Sequence, residues 1–189
     1  LGLNFLAQST VEEPGLHFGF YETPQRLRLK AKALGLDLET LEERGALHIM
    51  WQPTTEGLLD GLGARVINAV REKGIKRLHI DSLGGMARVA TGSARLIEFF
   101  SALMSQLRAM GVTVFATWEM RDLFAAEINA PAPELSSIVD NLVLMRFVEK
   151  DAELKRLLSI LKMRDSRYDP SLLEVVISDH GIELSKAFR

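Results

Sequence analysis

The chain contains no cysteine, which excludes disulfides and thiolate metal centres and fits a reducing compartment such as the cytoplasm. It also lacks an excess of either charge: 23 Lys and Arg against 25 Asp and Glu give a formal net charge of −2. So weak a field draws the chain neither to a nucleic-acid backbone nor to an anionic membrane, and any polyanion must be held locally. Trp51 and Trp118 stand isolated and form no stacking platform for bases. The apolar run Leu1–Ala7 is too short to span a bilayer and is not expected to be a signal peptide. It reads as a helix met partway along. No internal repeat, low-complexity segment or linker is present.

What remains is an ordinary globular composition, 47% hydrophobic and 25% charged over 189 residues, enough for one substantial core and read as one domain. Apolar runs bounded by turn residues predict strands at Leu16–Tyr21, Ala46–Met50, Arg77–Asp81 and Val112–Thr117. Between them, helical spacing predicts Pro24 to about Leu34, Leu38–Arg44, Leu58 to Gly74 and Ala94–Met110, with Thr23 and Pro24 opening the first. Gly84–Thr91, rich in small residues, reads as a loop. This alternation implies right-handed crossovers and an α/β domain with a mostly parallel sheet flanked by helices. In the last third, Leu142–Val148, Leu154–Met163 and Leu173–Ile177 leave no room for crossover helices and predict antiparallel strands appended to the sheet.

In an open α/β sheet, ligands gather beyond the carboxyl ends of the strands. Three polar strand ends therefore matter: Tyr21-Glu22, Asp81-Ser82 and Thr117. Asp81 after an apolar strand suits support of Mg²⁺ through water, although turn formation or capping would equally place an aspartate there. Glu22 is positioned to orient an attacking water, or is simply a solvated acid near a helix N-terminus. Lys162 and Arg164, two apart on a strand, present two cations on one face, for phosphate charge or to discourage edge pairing.

Other signals are bland. Gly61-Leu62-Gly63 lacks the third glycine of a dinucleotide fingerprint and lies in a helical pattern. His17, His48, His79 and His180 have no metal-ligand spacing, and the first three suit structural positions in strands. Arg26, Arg28, Lys30 and Lys32 read as a solvated helix face.

Six segments, in order, carry a resemblance: Glu12-Glu13-Pro14-Gly15, Phe20-Tyr21-Glu22-Thr23-Pro24, Ile80-Asp81-Ser82-Leu83, Asp140-Asn141, Leu161-Lys162-Met163-Arg164 and Ile177-Ser178-Asp179-His180-Gly181-Ile182. Together they resemble the KaiC-like ATPase domains of the RecA/RadA superfamily over nearly the whole chain. The resemblance implies a RecA-like P-loop core, ATP and Mg²⁺ as cofactors, and a homo-oligomeric, hexameric ring with nucleotide between subunits. It implies that Asp81 is the Walker B aspartate and that Glu22 is one of two adjacent glutamates flanking the hydrolytic water. Lys162 and Arg164 would reach a neighbour's ATP, Asp179, His180 and Gly181 would lie near its ribose and base, and Ser82, Thr117 and Ser166 would complete the nucleotide-binding set. Ser136 and Ser137 resemble the serine–threonine pair that some members phosphorylate on themselves, and so are candidate phosphosites.

The pattern is incomplete. Tyr21 stands where the family has its first paired glutamate, and Asp165 where a small residue follows the arginine, within reach of Arg164 or Arg167. No Gly-x-x-x-x-Gly-Lys-Ser/Thr occurs, so the phosphate cradle is missing. The expectation is that this loop precedes Leu1 and that the 189 residues alone bind ATP poorly. Signalling or timekeeping is the implied role. Alternatives are a non-catalytic assembly or partner-binding domain of the same fold and a RadA-like DNA-repair ATPase, which the low charge disfavours.

Overall fold

The structure, a computed structural model, describes residues 1–53, 58–88, 93–119, 135–150, 152–178 and 181–186, without the side chains of residues 93, 94 and 135. The chain divides into two compact units, residues 1–119 and 120–189.

In the first unit, helix α1 (Gly2–Leu6) precedes strand β1 (Gly15–Gly19). Helices α2 (Pro24–Ala33) and α3 (Leu38–Glu43) then lead to β2 (Leu47–Trp51), and α4 (Leu59–Lys73) leads to β3 (Arg77–Asp81). Helices α5 (Leu83–Ala87) and α6 (Ser93–Ala109) lead to β4 (Thr113–Ala116). The four strands are all parallel in the order β2-β1-β3-β4. β1 is buried throughout and β3 at its three central positions, as a parallel sheet covered on both faces requires of its inner strands. Leu16, Phe18, Leu78 and Ile80 are at most 1% exposed.

Local chemistry sets the helix ends. Pro24 sits at the first position of α2, where its missing N–H breaks no helical bond, and Asp37 caps α3 by accepting from the Thr40 amide at 3.1 Å. Gly74 stops α4 in the left-handed conformation, φ 63°, which costs a residue without Cβ little. Leu6, Leu27, Ala31, Leu38 and Leu47 form one core cluster, so α1, α2 and α3 share it with β2. On α1, Gly2 lies so close to β3 that a Cβ there would fall 2.2 Å from Nε2 of His79.

The sequence predicts a loop from Gly84, yet α5 begins at Leu83. Ser82 Oγ accepts from the Gly85 amide at 3.3 Å, and Leu83 and Met86 are buried. A cap and two buried apolar side chains outweigh the low helix propensity of the paired glycines.

The second unit contains the short helix α7 (Leu135–Ile138) and strands β5 (Asn141–Lys150), β6 (Glu153–Met163), β7 (Leu173–Ser178) and β8 (Gly181–Lys186). They pair antiparallel in the order β5-β6-β7-β8. The antiparallel strands expected from sequence are therefore present, together with β8. Among the described residues they form a sheet of their own and are not appended to the parallel one. Leu144, Leu157, Leu158 and Val175 are buried, and Lys155 pairs with Glu174 at 3.3 Å between neighbouring strands.

Candidate functional site

From β1 the chain crosses to β2 on one side, whereas from β3 it crosses to β4 on the other. The direction reverses between β1 and β3, and the crevice beyond the carboxyl ends of two such strands is left open by the diverging connections. The register pairs Gly19 with Asp81, and the Phe20 amide extends the ladder by donating to the Asp81 carbonyl at 3.1 Å. Tyr21 and Glu22 thus leave β1 at the level where Asp81 and Ser82 leave β3.

Asp81 is held from β4. Thr117 Oγ1 donates to Asp81 Oδ1 at 2.8 Å, and the Thr117 amide donates to the Ile80 carbonyl at 3.1 Å. The Leu83 amide in turn donates to the Thr117 carbonyl at 2.8 Å. The Asp81–Ser82 peptide is cis. Ser82 is fully buried and its hydroxyl donates to Glu119 Oε2 at 2.6 Å. Of the three candidates at these strand ends, Asp81 and Thr117 bond directly, whereas Ser82 reaches Glu119, a residue that sequence reasoning missed. The available signal was its place two residues beyond Thr117, on the same side of the extended chain leaving β4.

Glu22 pairs with Lys30, one turn or more along α2. The carboxylate is about three-quarters buried, at 25% exposure, and the ammonium half exposed, at 51%. Lys30, read from sequence as part of a solvated basic face, therefore answers Glu22, and Arg28 pairs with Glu42 at 2.7 Å. Tyr21 is exposed, with the Arg88 guanidinium 5.6 Å from its ring centroid. The Trp51 indole N–H donates to the Phe20 carbonyl at 2.9 Å, fixing the chain just before Tyr21.

Behind the site, His17 and His79 face each other across the β1–β3 ladder, Nδ1 to Nδ1 at 3.1 Å, both almost fully buried. Burial depresses His17 below its usual range, opposed by the charges of Asp81 and Glu22. Burial, then the neighbouring His17, lowers His79 to about 4, with Asp81 opposing. Both imidazoles are thus neutral near pH 7, so one Nδ1 donates and the other accepts. Among the described residues, Nε2 of His79 is buried without a partner.

The donor set at the strand ends is hard: carboxylate and hydroxyl oxygens of Asp81 and Thr117. That suits Mg²⁺, which keeps several waters and is bound through one or two carboxylates together with substrate phosphates. Among the described residues no group of three or more His, Cys, Asp or Glu could hold a metal by itself.

In the second unit, Lys162 Nζ donates to the carbonyls of Ser136 and of Val139, the latter at 2.9 Å. The Arg164 amide donates to the Asp140 carbonyl at 3.0 Å and its guanidinium to Asp140 Oδ1 at 3.3 Å. Both cations thus fasten the segment from Ser136 to Asp140 to the end of β6. Arg164 takes Asp140 as its partner and not Asp165, whose φ of 64° lies in the left-handed region that aspartate tolerates better than most residues. Ser166 lies exposed in the bend after β6, and Gly181 opens β8 with φ 111°. Ser136 is partly exposed and Ser137 exposed. Asp179 and His180 lie outside the described residues. No helix among the described residues is long and apolar enough to cross a membrane.

Comparison with known proteins gives the arrangement a lineage. The family model described as "ATPase: KaiC" matches residues 1–188. The chain is 30% identical over 178 residues to the circadian clock oscillator protein KaiC of Thermosynechococcus vestitus, covering 94% of this chain and 34% of that protein. It is 29% identical over 175 residues to the circadian clock protein KaiC3 of Synechocystis sp., covering 92% and 34%. The chain thus spans about a third of the length of the curated relatives it matches. With its parallel sheet, its aspartate at the switch point and a family match from end to end, the chain belongs to the KaiC ATPase family.

Proposed function

We propose that the 189 residues form the greater part of one ATPase domain of a Mg²⁺-dependent, clock-type or signalling protein that works in the cytoplasm as a homo-oligomeric ring. The observation that carries this reading is the Thr117–Asp81 hydrogen bond of 2.8 Å at the β1–β3 switch point, within a chain matched throughout by an ATPase family. Bound Mg²⁺ would neutralise charge developing on the transferred phosphoryl group. The protein's part is positioning. Thr117 fixes one oxygen of Asp81, leaving the other to hold a water of the metal shell. Glu22, leaving the adjacent strand, accepts a proton from the attacking water or orients it. Lys162 and Arg164 reach the nucleotide of a neighbouring subunit, where Arg164 stabilises transition-state charge, and Ser166, Asp179, His180 and Gly181 border the ribose and base. A phosphate cradle of backbone N–H groups has to come from residues other than these.

ATP hydrolysis by the full-length gene product tests the reading. Turnover should require Mg²⁺, fall to background in Asp81→Asn, and drop roughly 10³-fold or more in Arg164→Ala. Turnover indifferent to EDTA and to Asp81→Asn would refute it. A loss of only a few-fold in Arg164→Ala would leave that arginine its structural bond to Asp140 alone.

One observation favours a second reading, a non-catalytic assembly domain: Tyr21 stands in place of a carboxylate and the remaining Glu22 is tied to Lys30. That reading requires absence of ATP binding by the full-length product. Autophosphorylation at Ser136 or Ser137 is a further proposed activity, ended by phosphopeptide analysis of ATP-treated protein that shows neither residue labelled.

A further inference from the structure

Glu119 belongs to none of the roles above, yet its carboxylate lies 2.6 Å from the buried Ser82 hydroxyl that follows Asp81. The buried Ser82 hydroxyl has a single proton. Its oxygen already accepts from the Gly85 amide at 3.3 Å, so the proton goes to Glu119 Oε2 at 2.6 Å. That length is typical of a hydroxyl bonded to a carboxylate, among the stronger neutral-to-ionic hydrogen bonds. Gly84 lets the two groups meet: a Cβ there would sit 3.1 Å from Glu119 Oε2 and 3.2 Å from Ser82 Oγ. The segment bearing Glu119 is itself anchored, because the Trp118 ring between Thr117 and Glu119 packs edge-on against Phe100, centroids 6.0 Å apart.

The chain leaving β4 therefore grips the turn after β3 at two points, Thr117 on the Asp81 side chain and Glu119 on the next residue. Among the described residues, Asp81 Oδ2 is the oxygen left for a metal-shell water. Its direction depends on the backbone of the Asp81–Ser82–Leu83 turn, and that backbone is what Glu119 holds. We propose that Glu119 is a positioning residue: acting through Ser82, it fixes the direction in which Asp81 presents its unbonded oxygen to Mg²⁺. The proposal rests on Asp81 being the metal-supporting residue. Outer groups that orient a metal's ligands commonly alter metal affinity by 10–100-fold when removed.

The test uses the full-length gene product and reads the Mg²⁺ concentration that half-saturates binding of a fluorescent ATP analogue, alongside kcat and KM. Glu119→Ala should raise that Mg²⁺ concentration about tenfold, with turnover largely restored at saturating Mg²⁺, and Ser82→Ala should raise it at least as much. The double variant should be no worse than the poorer single one, because both remove the same bond. Glu119→Gln keeps an acceptor oxygen for the Ser82 hydroxyl and should stay close to wild type. Urea unfolding of wild type, Glu119→Ala, Ser82→Ala and the double variant, without metal or nucleotide, should show Ser82 and Glu119 to be coupled. Wild-type Mg²⁺ dependence in Glu119→Ala overturns the proposal, as does Glu119→Gln behaving like Glu119→Ala, which would mean that the charge acts on the metal directly. A wild-type protein whose nucleotide binding ignores both Mg²⁺ and Asp81→Asn overturns the metal reading of Asp81, and this inference with it.

Discussion

Lowering the pH from about 7.5 to about 5 should destabilise the first unit through its buried histidine pair. His79 titrates at about 4 in the folded chain against an ordinary 6.5, so between those values the unfolded chain binds more protons than the folded one. Stability is then fully present above about 6.5, declines as the pH falls, and levels off once the folded state also protonates, near 4. The difference is worth roughly 3 kcal/mol in full, of which roughly 2 kcal/mol is lost by pH 5. Burial depresses His17 in the same direction, so the wild-type decline should be at least that large. Against a typical domain stability of about 5–15 kcal/mol this is readily measured. Urea unfolding of the 189-residue chain at pH 7.5, 6.5, 5.8 and 5.0, beside His79→Leu, is the assay. The variant should show a shallower decline. A flat wild-type profile, or a variant whose decline runs parallel to it, would refute the account of the pair as buried and neutral.

Phe18→Ala should cost about 3–5 kcal/mol, because the ring is fully buried and meets Phe20 edge-on with centroids 4.9 Å apart; the midpoint of urea unfolding measures it. Lys30→Met should change stability by less than about 1 kcal/mol, since the ammonium is half exposed, and a much larger loss by the same assay would contradict the placement of that pair at the surface.

Much of the first unit was legible because its strands are short apolar runs closed by turn residues, and its helices carry signals such as Pro24 and Gly74. Helix α5 was not, since Gly84 and Gly85 look like a loop and its stability comes from the Ser82 cap and the burial of Met86. Strand β8 was overlooked because Ile182 and Leu184 alternate with polar residues over only six positions. Sheet membership is a matter of register, which no local pattern carries. This is why the C-terminal strands were expected beside the parallel sheet and why the His17–His79 contact stayed hidden. For the site, Glu22, Asp81 and Thr117 could be picked out because strand-end polar residues are visible as such. The partners of Glu22, Ser82 and Arg164 could not: Lys30 comes from the next helix, Glu119 from beyond β4, and Asp140 reaches Arg164 from across 24 residues.

The central claim is that Glu22 and Asp81, on adjacent strand ends, serve a Mg-nucleotide site in which only Glu22 works on the attacking water. ATP affinity and turnover of the full-length gene product, compared between wild type and Glu22→Gln, test it most directly. Affinity should stay within about twofold while turnover falls by about 10²-fold or more. Wild-type turnover in Glu22→Gln, or equal losses of affinity and turnover, would contradict it.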